Sequence, residues 1–503
     1  MQNLYTQLDA VFTAHSEKPC LILDDHKVWK FRDLRGVVAV AAERLIGFGV
    51  TPGDRVVVQV EKSPHNLALY LATLCVGGVY VPLNTAYTEA ELKYFVEDAE
   101  PALFVGSRAR SDVTSATLDA QGAGSFFAEV PMPGVSDIHL NLGTPSIAPR
   151  HGDDLAAIVY TSGTTGRSKG AMLSHANLTI NAEALSVAWG WQTDDVLLHA
   201  LPVFHVHGLF IASHCALLNG TPMRWMNKFD AASVQQALAE CTVMMGVPTF
   251  YSRLLALPEF PAVNLDHMRL FVCGSAPLTE QVFEQWQTRT GHTILERYGM
   301  SETIINTSNP LDGERLPATV GFPLPGLELR IADGDGNEVP TGDVGTIEVK
   351  GPSVFSGYWH MPEKTASEFR KDGFFITGDL GTVDEEGRLS IVGRAKDLVI
   401  SGGYNVYPKE VERVLDEMPE VRESAVIGVP HADFGEAVVA VIVPVNAPVT
   451  LAQIDAALGN QLARFKQPKR VVNVDSLPRN TMGKVQKNVL RETYQDIVNQ
   501  EVT

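Results

Sequence analysis

Short apolar runs recur along the chain, separated by stretches whose apolar residues return at helical spacing. Asp54–Val60, Val79–Leu83, Leu155–Val159 and Leu270–Cys273 are compact enough, and rich enough in Val and Leu, to predict buried strands. Pro64–Val76 predicts a helix with Pro64 near its start. The alternation of strand and helix up to about residue 150, resumed beyond it, implies an α/β architecture of mostly parallel sheets flanked by helices. The stretch Gly106–Pro149 carries many Ser, Gly and Ala residues and predicts a surface loop leading into the strand at 155. From about Gly326 the texture changes. Short strands alternate with the turns Asp333-Gly-Asp-Gly336, Asp372-Gly373 and Glu386-Gly387, which predicts a small β-rich subdomain. A charged stretch within Gly393–Ile400 then reads as a junction. Beyond it come a helix at Pro408–Asp416, strands at Ser424–Gly428 and Val438–Val443, and a helix at Leu451–Lys466. The expected division is a large domain over 1–394 and a small α+β domain over 395–503, with no internal repeat.

The length of 503 residues fits more than one domain with ample core. The net charge of −19 argues against a nucleic-acid partner and requires local Lys and Arg wherever an anion is bound. Cys20, Cys75, Cys215, Cys241 and Cys273 are scattered without a CxxC pair, which predicts reduced thiols in a cytoplasmic protein. No secretory signal is expected from Met1-Gln-Asn-Leu-Tyr5. The weakly charged stretches Leu67–Leu83 and Val196–Met223 are broken by Gly, Pro and His, so no membrane span is expected.

The densest chemistry lies at Tyr160-Thr-Ser-Gly-Thr-Thr-Gly-Arg-Ser-Lys-Gly170, directly after the strand at 155. Glycines allow close backbone approach, peptide N–H groups and hydroxyls donate, and Lys169 adds positive charge. These are the parts of a polyphosphate cradle. It is not a Walker loop, which needs Gly before the lysine and Ser or Thr after it; here Ser168 precedes Lys169 and Gly170 follows.

The cradle resembles the phosphate-binding signature of the acyl-adenylate-forming superfamily, which includes acyl-CoA synthetases, adenylation domains and firefly luciferase. The remaining motifs follow in that family's order: Leu201-Pro-Val-Phe-His205, Gly274–Leu278, Tyr298-Gly-Met-Ser-Glu302, Thr377-Gly-Asp379, Gly393-Arg394, Gly402–Pro408 and Gly483-Lys484. The resemblance covers essentially the whole chain and implies ligation of an acid to CoA with ATP, through an acyl-adenylate and with release of pyrophosphate and AMP. It implies ATP binding by Thr161, Ser162, Gly163, Thr164, Thr165, Gly166 and Lys169 in the cradle. Gly274, Ser275 and Ala276, within Gly274–Leu278, would form the adenine slot with Tyr298, and Glu296, Gly299, Met300 and Ser301 would bind ATP beside them; Asp379 would hold the ribose, and Arg394 would help with the ribose or phosphate. Ser301 stands where the family usually has Thr and keeps the hydroxyl. Glu302 corresponds to the family's Mg2+-linked glutamate, a hard oxygen ligand for a hard cation. Lys484 corresponds to the lysine that reaches from a mobile small domain, and His205 lines the acyl channel; with Glu302 they form the implied catalytic set. Lys396 falls at the family's hinge, and Gly402 and Gly403 at its CoA tunnel. Lys484 is also where relatives meet an acetyltransferase and deacetylase.

Two features bear on the acid. Arg297 precedes Tyr298 at the expected floor of the acyl pocket, where a buried guanidinium needs an anion. A second carboxylate on the substrate would supply it, with Ser275 and the extra histidine His207 assisting. Together with the resemblance, this predicts a small dicarboxylic acid, malonate or methylmalonate, as the substrate. The rival readings are a neutral short or aryl acid with Arg297 paired to protein, a stand-alone enzyme loading a carrier protein, an oxidative luciferase-like activity, and a degenerate nucleotide-binding module. Arg167 belongs either to the cradle or to substrate entry. Lys466, Lys469 and Arg470 read as a solvated basic edge.

Overall fold

In the computed structural model, the described residues are 2–106, 126–127, 145–161, 168–401, 404–431, 434–459, 461–480 and 483–498. Two large sheets dominate the first part. One orders the strands 126–127, Leu103–Gly106, Arg55–Gln59, Val79–Pro82, Leu155–Thr161 and Lys169–Ser174; it is parallel except for its last pair. The other runs in parallel from Leu295–Tyr298 through Leu270–Cys273, Val243–Gly246, Leu197–His199 and Met223–Trp225 to Pro19–Leu23. Antiparallel strands close both of its edges. The central strands are fully buried, which explains their unbroken apolar runs, because a parallel sheet is covered on both faces.

Local chemistry sets the flanking helices. Pro64 opens the helix Pro64–Cys75, with Ser63 accepting from the Asn66 N–H at its start. The helix Glu280–Thr290 starts at Thr279 and stops at Gly291, whose φ of +75° suits glycine. Glu328–Ala332, Gly345–Lys350, Phe375–Val383 and Leu389–Arg394 form the antiparallel subdomain expected from the turn-rich stretch.

Residues 399–490 have apolar clusters of their own, on the two faces of the pair Val421–His431 and Gly435–Pro444. Val438, Ala440 and Ile442 face one cluster, and Val439, Val441 and Val443 the other. The helix Pro408–Asp416 buries Val411, Val414 and Leu415, the spacing of one helical face.

Three local expectations are corrected. The helix expected over Leu451–Lys466 stops at Leu458, the last residue it buries in the core; Arg464–Lys466 forms a separate 3₁₀ turn, where Phe465 stacks on Tyr404 at 4.6 Å. The strands expected at Ser424–Gly428 and Val438–Val443 extend over Val421–His431 and Gly435–Pro444. The strand at Leu155 extends to Thr161 and is answered by an antiparallel strand from Lys169, so the cradle connects two strands of a hairpin. All five cysteines are buried and unpaired. Among the described residues no helix is long and apolar enough to cross a membrane.

Candidate active site

The carboxyl ends of the central parallel strands open on one cleft. Cys273 hands over to Gly274, Tyr298 to Gly299 and His199 to Ala200, which is the usual location of a ligand site in such sheets. Residues from both parts of the chain meet there. A Cβ at Gly483 would lie 3.5 Å from the Thr249 side chain, at the start of the helix Pro248–Leu255. Lys484 is thereby within electrostatic reach of Asp379, Glu302, Arg297, Arg394 and His205.

On one wall the polar groups are matched. Asp379 is buried, accepts from the Tyr298 hydroxyl at 2.7 Å and forms an ion pair with Arg394, whose Nε lies 2.8 Å away. The pairing of strands Phe375–Val383 and Leu389–Arg394 sets Asp379 directly opposite Arg394. Glu296 is buried beside Leu278, whose N–H donates to it at 3.1 Å. Burial pushes the Glu296 carboxyl up to about 7, against the opposing charge of Lys409. Gly299 is tied to its position by space, since a Cβ there would lie 2.0 Å from the Ile304 carbonyl oxygen. Ala276, Met300 and Ser301 flank this wall in partly buried turns.

The opposite wall is unmatched. Arg297 is 4% exposed, and its Nε and Nη2 have no hydrogen-bond partner among the described residues. Burial lowers its pKa to about 10, so it remains a cation at neutral pH. Arg297 lies against Gly274, where a Cβ would be 2.6 Å from its Cζ. His207 is buried, with Nδ1 3.2 Å from Ser275 Oγ and Nε2 unpartnered. Ser275 holds a left-handed φ of +72°, a strained conformation for a residue with a Cβ. His205 is pushed down to about 3, by burial first and then by the charges of Lys484 and Arg297. Lys484 falls to about 8, by burial and the charge of Arg394, while Asp379 and Glu302 oppose the shift.

At the phosphate end, Glu302 is buried and accepts from the Tyr358 hydroxyl at 3.0 Å; the same hydroxyl lies 2.7 Å from Glu368. Lys169 Nζ sits 3.3 Å from Glu368 and 4.1 Å from the Tyr358 ring centre. Thr161 Oγ1 reaches the Lys169 carbonyl at 3.4 Å. Ser162, Gly163, Thr164, Thr165, Gly166 and Arg167 lie outside the described residues, as do Gly402 and Gly403. No group of three or more His, Cys, Asp or Glu suited to a metal occurs among the described residues. A single buried carboxylate nevertheless fits Mg2+, which takes one or two protein oxygens and completes its shell with phosphates and water.

Lys396 lies in a short 3₁₀ turn after Arg394, outside the cleft's hydrogen-bond network, with its pKa lowered to about 8 by desolvation and Arg394. Lys466 is not simply solvated: it donates to both carboxylate oxygens of Glu410. Tyr358 and Glu368 were invisible as site residues in the sequence. Tyr358 stands in Ser356-Gly-Tyr-Trp359, and only its spatial position beside Glu302 singles it out.

Comparison with known proteins gives consistent matches. The model of the AMP-binding enzyme family covers residues 8–359, and that of the AMP-binding enzyme C-terminal domain covers residues 410–484. The chain is 39% identical over 494 residues to a probable CoA ligase of Humulus lupulus, spanning 89% of this chain and 81% of that protein. It is 36% identical over 487 residues to a malonate–CoA ligase of Arabidopsis thaliana, spanning 90% of this chain and 79% of that protein. The crystal structure of ATP-bound MatB from Rhodopseudomonas palustris superposes with a TM-score of 0.92 at 51% identity, covering 98% of this chain and 99% of that one.

Proposed function

The chain belongs to the AMP-binding enzyme family, and we propose that it ligates malonate to CoA at the expense of ATP. The observation that carries the choice of acid is the buried, unpaired edge of Arg297 beside the unpaired Nε2 of His207. A neutral short acid would leave that guanidinium desolvated and unpaired, a cost of several kcal/mol, on the order of 3–5. A dicarboxylate presents one carboxylate to Nε and Nη2 and keeps the other for reaction. Ser275 and His207 flank the same anion. Methylmalonate is the further substrate that this geometry admits. The malonate–CoA ligases among the relatives support the same acid.

In the first half-reaction the free carboxylate oxygen attacks the α-phosphorus of ATP, and pyrophosphate leaves. Lys484 supplies positive charge where negative charge gathers between carboxylate and α-phosphate, within the field of Asp379 and Glu302 that keeps it protonated near neutral pH. Asp379, oriented by Arg394 and Tyr298, accepts from the ribose hydroxyls. Thr161, Lys169 and cradle residues 162–166 hold the β- and γ-phosphates, with Arg167 beside them or at substrate entry. Glu302 would hold Mg2+, which supplies charge neutralisation at the phosphates. His205, kept neutral by its surroundings, lines the acyl channel next to Lys484. In the second half-reaction the CoA thiol displaces AMP, forming the thioester and releasing a proton.

Within this reading residues 1–394 bind ATP and acid, and residues 395–503 carry Lys484. Lys396 is the hinge, and Gly402 and Gly403 border the CoA path. Five buried, unpaired thiols favour a reducing compartment, the cytoplasm. Acetylation of Lys484 would remove the charge on which the first step depends.

The test is AMP formation with ATP, Mg2+ and CoA across malonate, methylmalonate, succinate, acetate, propionate, 3-hydroxypropionate and benzoate, for wild type and Arg297→Ala. Malonate is expected to lead in wild type and to lose its lead in the variant. A lead for acetate, propionate or benzoate that survives Arg297→Ala would refute the acid.

A further inference from the structure

Beside the unmatched wall lies a second group of buried polar residues, of which Lys62 also lines a cavity with Ala200, Pro202, Phe204 and Phe250. Lys62, from the segment after the strand Arg55–Gln59, is 9% exposed. Its ammonium donates to His199 Nδ1 at 2.9 Å and to the His199 carbonyl oxygen at 2.8 Å, and lies 4.3 Å from the Trp225 ring centre. His199 is fully buried at the end of its strand. The Gly208 carbonyl oxygen beside Nε2 can only accept, so the proton of the neutral imidazole resides on Nε2 and Nδ1 is left to accept from Lys62. Nε2 is 2.9 Å from the Gly208 carbonyl oxygen and donates to it. Ser213 Oγ donates to the same oxygen at 2.9 Å.

Gly208 is the second residue of a wide, π-helical turn, His207–Ala212, and wide turns of this kind are often found where a side chain must be aimed. The turn is tightly constrained on its other side as well, because a Cβ at Gly208 would lie 2.0 Å from the Pro202 carbonyl oxygen. The residue that opens the turn is His207, whose ring faces Ser275. The chain of contacts therefore runs Lys62, His199, Gly208, His207, and connects a lysine that follows a strand of one sheet to the pocket histidine in the turn His207–Ala212.

We infer that Lys62 and His199 are positioning residues for acid selectivity: by holding the His199 ring at both nitrogens they anchor the Gly208 carbonyl and thereby aim His207, so that the pocket presents Arg297 and His207 together to a second carboxylate. The inference rests on the dicarboxylate reading of the pocket. Neither residue touches substrate. Their loss is expected to weaken recognition of the distal carboxylate while ATP binding and the activation of an acid without that carboxylate continue.

Three variants test this: Lys62→Met, which keeps stem length but removes the donors; His199→Gln, whose Nε2–H can still serve Gly208; and His199→Leu, which cannot donate. For each, KM for malonate, KM for ATP and the malonate-to-propionate ratio of kcat/KM are measured. Loss of one buried hydrogen bond in the chain corresponds to a rise of about tenfold in KM for malonate in Lys62→Met and His199→Leu. KM for ATP and the propionate rate are expected to stay within about twofold of wild type, with His199→Gln nearer to wild type than His199→Leu. A malonate-to-propionate ratio unchanged in Lys62→Met and His199→Leu, or an equal rise in KM for ATP, would overturn the proposal. The 15N shifts of the labelled His199 ring give an independent readout. The Nε2–H tautomer is expected in wild type and in Lys62→Met alike, with the Nδ1 resonance shifted in the variant by loss of its hydrogen bond; an unchanged Nδ1 shift contradicts the role of Lys62. A wild-type enzyme that does not prefer malonate would instead refute the substrate reading, which the same assay distinguishes from an unchanged variant ratio.

Discussion

Asp379 and Arg297 are charged groups buried within one cleft, and the protein treats them in opposite ways. Asp379 is satisfied from two sides, by Tyr298 and Arg394, before any ligand arrives. Arg297 retains two unpartnered nitrogens, next to a histidine with a third. A matched group is preorganised: its partners hold it in one orientation for a ligand common to every turnover. An unmatched buried cation is a receptor whose missing partner must come from outside, because leaving it unpaired is costly. On the proposed reading, the nucleotide wall is generic and specificity resides in the wall that is left incomplete.

The largest expected effect lies between the two walls. Lys484→Ala removes the cation that both walls feel, and the pyrophosphate-exchange rate with malonate should fall by about 10²–10³-fold. A loss of less than tenfold would mean that the segment at Gly483 does not deliver its neighbour to the reacting groups. Next comes a break in the matched wall. Asp379→Asn weakens a charge-assisted pair, and KM for ATP should rise by about 10–100-fold for malonate and propionate alike. An effect confined to malonate would blur the distinction between the walls. The converse experiment crowds the unmatched wall. Gly274→Ala places a methyl where Arg297 lies, 2.6 Å from its Cζ. Overpacking of this kind should lower kcat/KM for malonate about tenfold and largely spare ATP affinity, read by nucleotide titration. The smallest effect is that of pH. Lys484 has its pKa lowered to about 8, so its cation is complete below that value and is lost as pH rises through it. Adenylation should be about twofold lower at pH 8 than at pH 6.5, by the titration of one group, and Lys484→Arg should move that decline upward.

How much of this could be read from residues alone differs along the same line. Asp379, Tyr298, Arg394 and Glu302 were legible through the short motifs that carry the family resemblance, since Thr-Gly-Asp alone reads only as a turn. Arg297, set by the structure within the strand Leu295–Tyr298, was legible as a charge out of place. The supporting layer was not. Lys62 and His199 are separated by 137 residues, and no periodicity joins them. Tyr358 and Glu302 are 56 apart, and it takes the bridge to Glu368 to mark the tyrosine at all. The helix expected over Leu451–Lys466 failed for a different reason. Its apolar spacing continued to Phe465, but that ring is used against Tyr404 and not in a helical face.

The claim that specificity resides in the unpaired guanidinium is tested most directly by the affinity of two acyl-sulfamoyl adenosines, one malonyl and one propionyl, for wild type and Arg297→Met. Wild type should bind the malonyl compound about 10²-fold more tightly, and the variant should bind the two within a few fold, by loss of one buried charge-assisted pair. Equal affinities in wild type, or a malonyl preference that persists in Arg297→Met, would contradict the account.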